Sequence, residues 1–532
     1  EYGNGTMSYE YDDLGNVTYK HLGTYTEELF YDWLGRPGRS ITIDAEPADR
    51  ITVYTYEYDT AHMAGPDGFD SGGYTKGRLV RDRVTHPEEA GQNGRVSVER
   101  FFAYDWRGNL IRKTEQFTRD ARAEAFTTTF EYDRQGNPVT ITYPSGQEET
   151  LAYERGRLAQ IAWNGQSLLD GLVYAPHGAA EEAHGHGPNG GEVTWAQTFN
   201  GRNWPAQLFL NAGDTLAQTG EATLVQLNYW TYENNGNIRD LTRGIRETTV
   251  ADPVYLQSFF DYDELNRLKE FQFSDGLSEL LVPLDGGLDP LLEHQYLYAI
   301  DRFGNVTGRT YAGAGGTGIP GSIAMPADPA TNRLIGGFYD GLGNQTQIEQ
   351  NGTVLNLTYL DQGHVWEVRD VSDSLQYRYY YDADGKRRIK AKASDGLTNF
   401  QEDASYYFYD GEALSCQLDI GELVQENEET YQPKFLMLDH LGSTRAEVTF
   451  EGAGLTPTVT GHYDYMPYGQ FINAPDTTPE QVCFTGKPRD GEMGLDIFGP
   501  RNLNFNLCRW MSPDLLFVDN QLENPQSWNL FM

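Results

Sequence analysis

The chain has 532 residues, of which 39% are hydrophobic and 58 are glycines, so it has enough apolar residues to fold rather than remain disordered. Its 78 acidic residues outnumber its 40 basic residues, which gives a formal net charge of −38. This charge argues against a nucleic-acid backbone and an anionic membrane as partners, because both would repel the protein. No apolar run reaches the roughly 18 residues of a transmembrane helix, so we expect no membrane insertion.

A short motif recurs along the chain, which makes internal repetition the first structural signal. Each copy is a stretch of alternating apolar and polar residues that ends in Tyr-Asp. A Gly follows three positions after the Asp, and Asn or Arg usually comes next. In the clear copies the tyrosine of the Tyr-Asp pair is Tyr11, Tyr31, Tyr104, Tyr132, Tyr339 or Tyr381. Looser copies lie near Tyr58, Tyr232, Tyr262, Asp301 and Tyr409.

This motif predicts a β-hairpin. Alternation with period two places the tyrosines on one face of a strand. The Asp can accept hydrogen bonds from amides of the following turn, and the Gly supplies the positive φ that the turn needs. One hairpin cannot bury its apolar face alone, so neighbouring hairpins must pair. The spacing, very roughly 20–40 residues, is too irregular for propeller blades, so the sequence predicts an all-β fold with one long antiparallel sheet.

Cysteine and histidine usage indicates no metal or cofactor site. Cys416, Cys483 and Cys508 form no C-x-x-C pair, so we expect buried free thiols rather than disulfides or a zinc site. His184 and His186 begin a Gly-rich polar segment, which we interpret as a solvated loop because no carboxylate or Cys spacing beside them suggests metal binding.

The sequence changes character from about Lys434. Residues 439–445 read Asp-His-Leu-Gly-Ser-Thr-Arg, residues 484–487 read Phe-Thr-Gly-Lys, and residues 509–514 read Arg-Trp-Met-Ser-Pro-Asp. Asp439, His440 and Ser443 are too close in sequence for a catalytic triad, whose members usually come from distant parts of the chain. We therefore predict a turn in which Asp and Ser satisfy backbone groups.

The Tyr-Asp hairpins and these ordered C-terminal motifs resemble the Rhs/YD-repeat family, which includes the C components of bacterial Tc toxins. The resemblance covers essentially the whole chain. It implies a YD-repeat β-shell over residues 1–433, wound into a hollow cocoon, and an Rhs-associated core over residues 434–532 that forms a plug. It also implies a secreted or cell-surface protein whose shell encloses a downstream C-terminal effector in cis. In some members a second chain completes the shell.

The resemblance further implies an aspartyl autoprotease in the core, which cuts the chain once and requires no cofactor. Arg501 and Asp514 keep the family's separation of 13 positions. Asp514 is then the acid/base, and Arg501 would hold a carboxylate ionised. Carboxylate-based hydrolysis needs a second carboxyl group; Asp519 is the first candidate and Asp496 a weaker one. The family's cleavage segment would lie beyond Met532.

Several departures from the family pattern leave alternatives open. Asn502 and Leu503 replace two aromatic residues that follow the family's arginine, and Cys508 replaces a glycine. The chain is therefore also compatible with a cell-surface adhesion or carbohydrate-recognition protein that has a non-catalytic shell, or with a decayed core fragment. The toxin hypothesis predicts that the excess carboxylates face the lumen, where they would hold a basic unfolded effector.

Overall fold

The structure is a computed structural model of the chain. It describes residues 8–44, 50–88, 95–119, 122–214, 222–249, 251–277, 293–313, 319–350, 352–360, 363–394, 397–398, 404–410, 413–420, 433–451, 456–472, 482–499 and 501–514. Within these ranges every element is a β-strand, apart from short 3₁₀ turns such as Pro188–Gly190 and Phe484–Gly486. The all-β prediction is confirmed.

The largest sheet contains 23 strands. These strands are β1 (Ser8–Tyr11), β2 (Val17–Leu22), β3 (Tyr25–Tyr31), β4 (Pro37–Asp44), β5 (Arg50–Tyr58), β6 (Leu79–Glu88), β7 (Arg95–Tyr104), β8 (Leu110–Arg119), β9 (Arg122–Tyr132), β10 (Pro138–Thr142), β11 (Glu148–Glu154), β12 (Arg157–Trp163), β13 (Gln166–Tyr174), β14 (Ala180–His186), β15 (Glu192–Phe199), β16 (Pro205–Ala212), β17 (Thr223–Tyr232), β18 (Ile238–Ile245), β19 (Val254–Tyr262), β20 (Leu268–Leu277), β21 (His294–Ile300), β22 (Val306–Gly313) and β23 (Ile323–Ala324).

Each strand of this sheet pairs with the next one along the chain in antiparallel orientation. The same holds through the second half, up to the pairing of β22 with β23. The long antiparallel sheet of hairpins is therefore confirmed. Within the described residues β1 pairs only with β2, and β23 pairs only with β22, so the sheet does not close on itself.

Seventeen further strands form four smaller sheets. The second sheet contains β24 (Gln347–Gln350), β25 (Thr353–Tyr359), β26 (Val365–Arg369), β27 (Leu375–Tyr381), β28 (Arg387–Ser394), β29 (Leu397–Thr398), β30 (Ala404–Asp410) and β31 (Ala413–Ile420). The others are β32 (Phe435–Leu438), β33 (Thr444–Glu451) and β34 (Thr456–His462); β35 (Asp464–Tyr465) and β36 (Phe471–Ile472); and β37 (Arg489–Asp490), β38 (Leu495–Phe498), β39 (Arg501–Asn504) and β40 (Arg509–Trp510).

The turn after β9 shows how the Tyr-Asp motif works. The Asp133 carboxylate accepts hydrogen bonds from the amides of Gln135 and Asn137 at 2.7 and 2.9 Å, and from the side chain of Asn137 at 2.9 Å. Gly136 has a φ of 91°, which closes the turn. Equivalent bonds recur at Asp12, Asp105, Asp301 and Asp340. The predicted role of each motif position is confirmed.

The C-terminal segment, defined as residues 434–514, packs across the sheets. Met437, Val448 and Phe450 share an apolar core with β15–β18 of the large sheet. Met466 and Cys508 contribute to the core of β19–β23, and residues 493–511 join the core of the second sheet. A separate core joins β7–β9 to β27–β30, so the two large sheets also pack against each other. The described part of the chain contains no helix with the length and apolar character needed to cross a membrane.

Candidate functional site

Arg501 and Asp514 lie side by side at the end of the described chain. Arg501 begins β39, and Asp514 follows β40; the Nη2 atom of Arg501 is 3.4 Å from the Oδ2 atom of Asp514. Backbone hydrogen bonds hold the connecting stretch, because the amide of Met511 donates to Asn502 and the amide of Gln345 donates to Met511. The sequence-predicted pair is therefore brought together, with both side chains partly open to solvent.

The Arg501 guanidinium is also held by an aromatic ring. Its central carbon lies 4.3 Å from the centre of the Trp510 ring, which packs edge-on against Phe498. Burial lowers the pKa of Arg501, and the neighbouring Asp514 opposes that shift. Among the described residues, the Nη1 atom of Arg501 is buried without a hydrogen-bond partner. This donor can therefore bind an oxygen atom of a further group.

Of the two candidates for the second carboxylate of the predicted protease site, the structure describes only Asp496. Asp496 is fully buried, and its oxygens lie 2.6 and 2.9 Å from the nitrogens of Arg489, which also donates to the carbonyl of Gly469. Asp496 thus has a different arginine partner from Asp514. Burial raises the pKa of Asp496, and Arg489 counteracts that effect. Asp519 lies outside the described residues.

Asp439, His440 and Ser443 form a turn rather than a catalytic triad. The Asp439 carboxylate accepts from the amides of Leu441 and Ser443, both at 2.9 Å, and its other oxygen lies 2.9 Å from Arg445. Ser443 Oγ accepts from the amide of Thr485, while His440 Nδ1 lies 3.3 Å from the Tyr229 hydroxyl. The prediction of a turn with satisfied backbone groups is confirmed.

The sequence motifs of the C-terminal segment contact one another. The Thr444 amide donates to the carbonyl of Cys483, and the Thr444 hydroxyl donates to the carbonyl of Val482 at 2.6 Å. Cys508 has a φ of 53°, a left-handed conformation that favours glycine. This explains why glycine is the family's residue at that position. Cys483 and Cys508 are buried free thiols, as predicted, whereas the Cys416 side chain lies outside the described residues.

The loop interpretation of His184 and His186 is wrong. Both residues belong to β14, where alternation places their side chains on one face. His184 Nε2 lies 2.9 Å from Glu182, and His186 Nε2 lies 2.9 Å from Asp170 on β13. The contact with Asp170 could not be predicted from sequence spacing, because Asp170 reaches His186 only through the pairing of β13 with β14. In the described ranges no group of three or more potential ligands is arranged to hold a metal ion.

Sequence reasoning missed a pocket beside the Asp439–Arg445 turn, which we call the turn pocket. It has a volume of about 710 Å³ and lies between the large sheet and the C-terminal segment. The sheet contributes Trp204, Tyr232, Phe260 and Tyr262, and the C-terminal segment contributes His440, Leu441, Tyr465, Tyr468 and Phe484, among others. The sequence feature that could have indicated this pocket is the alternation of aromatic residues near the Tyr-Asp turns.

A buried network of charges between the two large sheets was also missed. Arg100 on β7 binds Asp82 and Asp382, and Arg388 on β28 binds Asp382 and Glu115. Burial raises the pKa of Asp82 to about 6 despite the adjacent Arg100. Burial would also raise the pKa of Asp382, but Arg388 and Arg100 lower it to about 2. The network fixes the position of one sheet on the other.

The repeat and the fold both have known counterparts. A family model described as RHS Repeat matches residues 104–148, which include the turns at Asp105 and Asp133. This part of the chain therefore contains an RHS repeat. Crystal structures of TcdB2–TccC3, alone and with Cdc42, match 99% of this RHS-repeat chain at 17% identity, with TM-scores of 0.67 and 0.66. A Photorhabdus luminescens Tc holotoxin pore with a substitution in TccC3 matches at 16% identity and a TM-score of 0.66.

These similarities establish the fold of an Rhs shell like that of the Tc toxin C component. The RHS-repeat chain covers only 27–28% of each matched chain, so it corresponds to less than a third of their length. A search of the curated proteins finds no match. The resemblance to the Rhs/YD-repeat family is confirmed.

Proposed function

We propose that this chain is the part of a toxin shell that encloses a downstream C-terminal effector and releases it by aspartyl autoproteolysis. In this proposal residues 1–433 are the shell, and residues 434–532 are the core that forms its plug. The observation that carries the proposal is the contact between Arg501 and Asp514, with Trp510 beneath the guanidinium and the Nη1 donor of Arg501 unused.

Peptide hydrolysis at this pair would use two carboxyl groups in different protonation states. Asp514, held beside Arg501, would accept a proton from the attacking water. A second carboxyl group, for which Asp519 is the candidate, would protonate the carbonyl oxygen. The free Nη1 donor of Arg501 can orient either the second carboxylate or the scissile carbonyl.

A partner chain would complete the shell. All four residues of β1 are exposed, and within the described residues this strand at the edge of the sheet has β2 as its only strand partner. Such an edge accepts an added strand. The matched structures are complexes of TcdB2 with TccC3, and we propose a comparable second shell chain here. A protein of this kind would be exported, to the medium or to the cell surface.

The test is the intact mass of the protein expressed from its full reading frame. The wild-type protein should yield two pieces that remain associated, and Asp514→Asn should yield one piece, because the amide cannot accept the proton from water. Asp373→Asn is the matched control, since its aspartate is an exposed turn residue far from the pair in sequence. A single uncut chain for the wild type would refute the autoprotease.

One observation favours adhesion as the second candidate. Trp33 and Trp106 occupy the same turn position in two hairpins, directly after the Asp, and are 84% and 67% exposed. Because all odd-numbered strands of the sheet run in one direction, these rings lie along one edge, where they can stack on sugar rings. An uncut wild-type protein that binds glycans, with binding lost in Trp33→Ala, would support this candidate.

A further inference from the structure

The turn pocket has walls that are apolar although many of its residues carry polar groups. The hydroxyls of Tyr232, Tyr262 and Tyr465 all donate to backbone carbonyls, of Pro205, Ile238 and Thr444 respectively. The rings of these tyrosines line the pocket, and their hydroxyl protons are used in hydrogen bonds within the protein.

The charged groups of the pocket are likewise engaged. Arg445 pairs with Asp439 at 2.9 Å, and Arg267 pairs with Asp263 at 2.7 Å. A phosphate or a carboxylate ligand would have to break one of these pairs, which is costly for the buried Asp439. The charge pattern thus disfavours an anionic ligand.

His440 supplies an accessible polar edge. Its Nδ1 lies 3.3 Å from the Tyr229 hydroxyl, and the residue lines the pocket. Burial by the surrounding protein lowers the pKa of His440, and Asp439 opposes the shift. Because Nδ1 is engaged by Tyr229, only the second ring nitrogen of a neutral imidazole is left to form a hydrogen bond with a ligand, whereas a sugar needs several polar partners. A neutral aromatic group with one polar atom is the better fit.

We propose that the turn pocket binds a neutral aromatic ligand that carries a single hydrogen-bonding group. The volume of about 710 Å³ matches a pocket for a drug-sized group. Trp204 and Tyr232, whose ring centres are 5.1 Å apart, supply the aromatic surface on which such a ligand can pack.

The probe is 5-fluoro-N-acetyl-tryptophanamide. Its binding to the 532-residue protein is followed by the linewidth of its fluorine NMR signal. We expect saturable binding to the wild type and at least fivefold weaker binding to Leu441→Glu. Leu441 is 53% exposed, so the change should leave the fold intact. Leu14→Glu is the matched control because Leu14 has the same position in an Asp-x-Leu-Gly turn and is 76% exposed. It should bind the probe like the wild type.

A second variant, Trp204→Leu, removes one stacking face and should also weaken binding, which keeps the test valid if Leu441→Glu does not fold. Equal binding by the wild type and the pocket variants would overturn the proposal. So would saturable binding of methyl glucoside or inorganic phosphate, sensitive to Leu441→Glu, without binding of the indole probe. The test needs no effector or cleavage, so failure of autoproteolysis and failure of this inference are distinguishable.

Discussion

The tyrosine of each Tyr-Asp pair links one hairpin to the preceding one. The hydroxyl of Tyr132, at the end of β9, donates at 2.8 Å to the carbonyl of Leu110, the first residue of β8. Tyr31, Tyr104 and Tyr262 make the same bond to the first residues of β2, β6 and β18. The motif therefore fixes register between hairpins as well as the geometry of each turn.

Tyr132→Phe should weaken the sheet locally. The change leaves the Leu110 carbonyl without its donor and keeps the ring, so we expect a loss of about 1 kcal/mol. Amides of β8 and β9 should then exchange with deuterium about fivefold faster. Tyr153→Phe is the control, because within the described residues the Tyr153 hydroxyl makes no hydrogen bond. Equal exchange in both variants would show that the hydroxyl bond contributes nothing.

Individual residues also show how far sequence reasoning reaches. The Asp and Gly of each turn were assigned correctly because their roles depend on neighbours within four positions. The hydroxyl bond of Tyr132 was not, since its acceptor lies 22 positions away and depends on register. The contact between His186 and Asp170 was missed for the same reason. Arg501 and Asp514 were found through the resemblance, and strand pairing alone could not have identified them.

At the scale of elements, His86 on β6 forms a pH-sensitive link between the two large sheets. Its Nε2 atom accepts a hydrogen bond at 3.0 Å from the amide of Tyr381, the last residue of β27. The imidazole is fully buried, packs edge-on against Tyr380, and has His364 and Asp382 as its charged or titratable neighbours. Burial lowers the pKa of His86 to about 3, and Asp382, already paired with two arginines, offsets this only weakly.

Acid should therefore loosen this link. A base with a lowered folded-state pKa contributes stability above its unfolded pKa of about 6.5, and that contribution is lost as the pH falls from about 6.5 toward 3. Protonation would also turn Nε2 into a donor that faces the Tyr381 amide. As the pH falls from 7.5 to 5.5, the β27 amides should lose protection against hydrogen exchange, measured relative to their intrinsic exchange rates at each pH.

His86→Gln separates this effect from the titration of other groups. The Gln oxygen can accept from the Tyr381 amide and does not titrate, so the protection of the β27 amides in this variant should change little over the same range. His62→Gln is the control, because His62 is an exposed loop residue, and it should behave like the wild type. A His86→Gln protein with the wild-type pH profile would contradict this role.

At the scale of the whole molecule, the buried carboxylates of the described residues contribute little to the acidic excess. The buried carboxylates of Asp82, Asp382, Asp464, Asp490 and Asp496 all face arginines. These buried pairs are close to neutral, so they do not account for the formal net charge of −38. If the proposed shell holds a basic effector, the attraction comes from carboxylates that solvent and salt can reach.

The hold on a cleaved effector should accordingly depend on salt. The Debye length falls from about 10 Å at 0.1 M to about 3 Å at 1 M, so screening removes attraction between groups that are not in contact. After cleavage, the two pieces should elute together in size-exclusion chromatography at 0.1 M NaCl and separate, at least in part, at 1 M. The uncut Asp514→Asn chain should elute identically under both conditions. Coelution of the cut pieces at 1 M NaCl would mean that enclosure and apolar contacts retain the effector without help from the surface carboxylates.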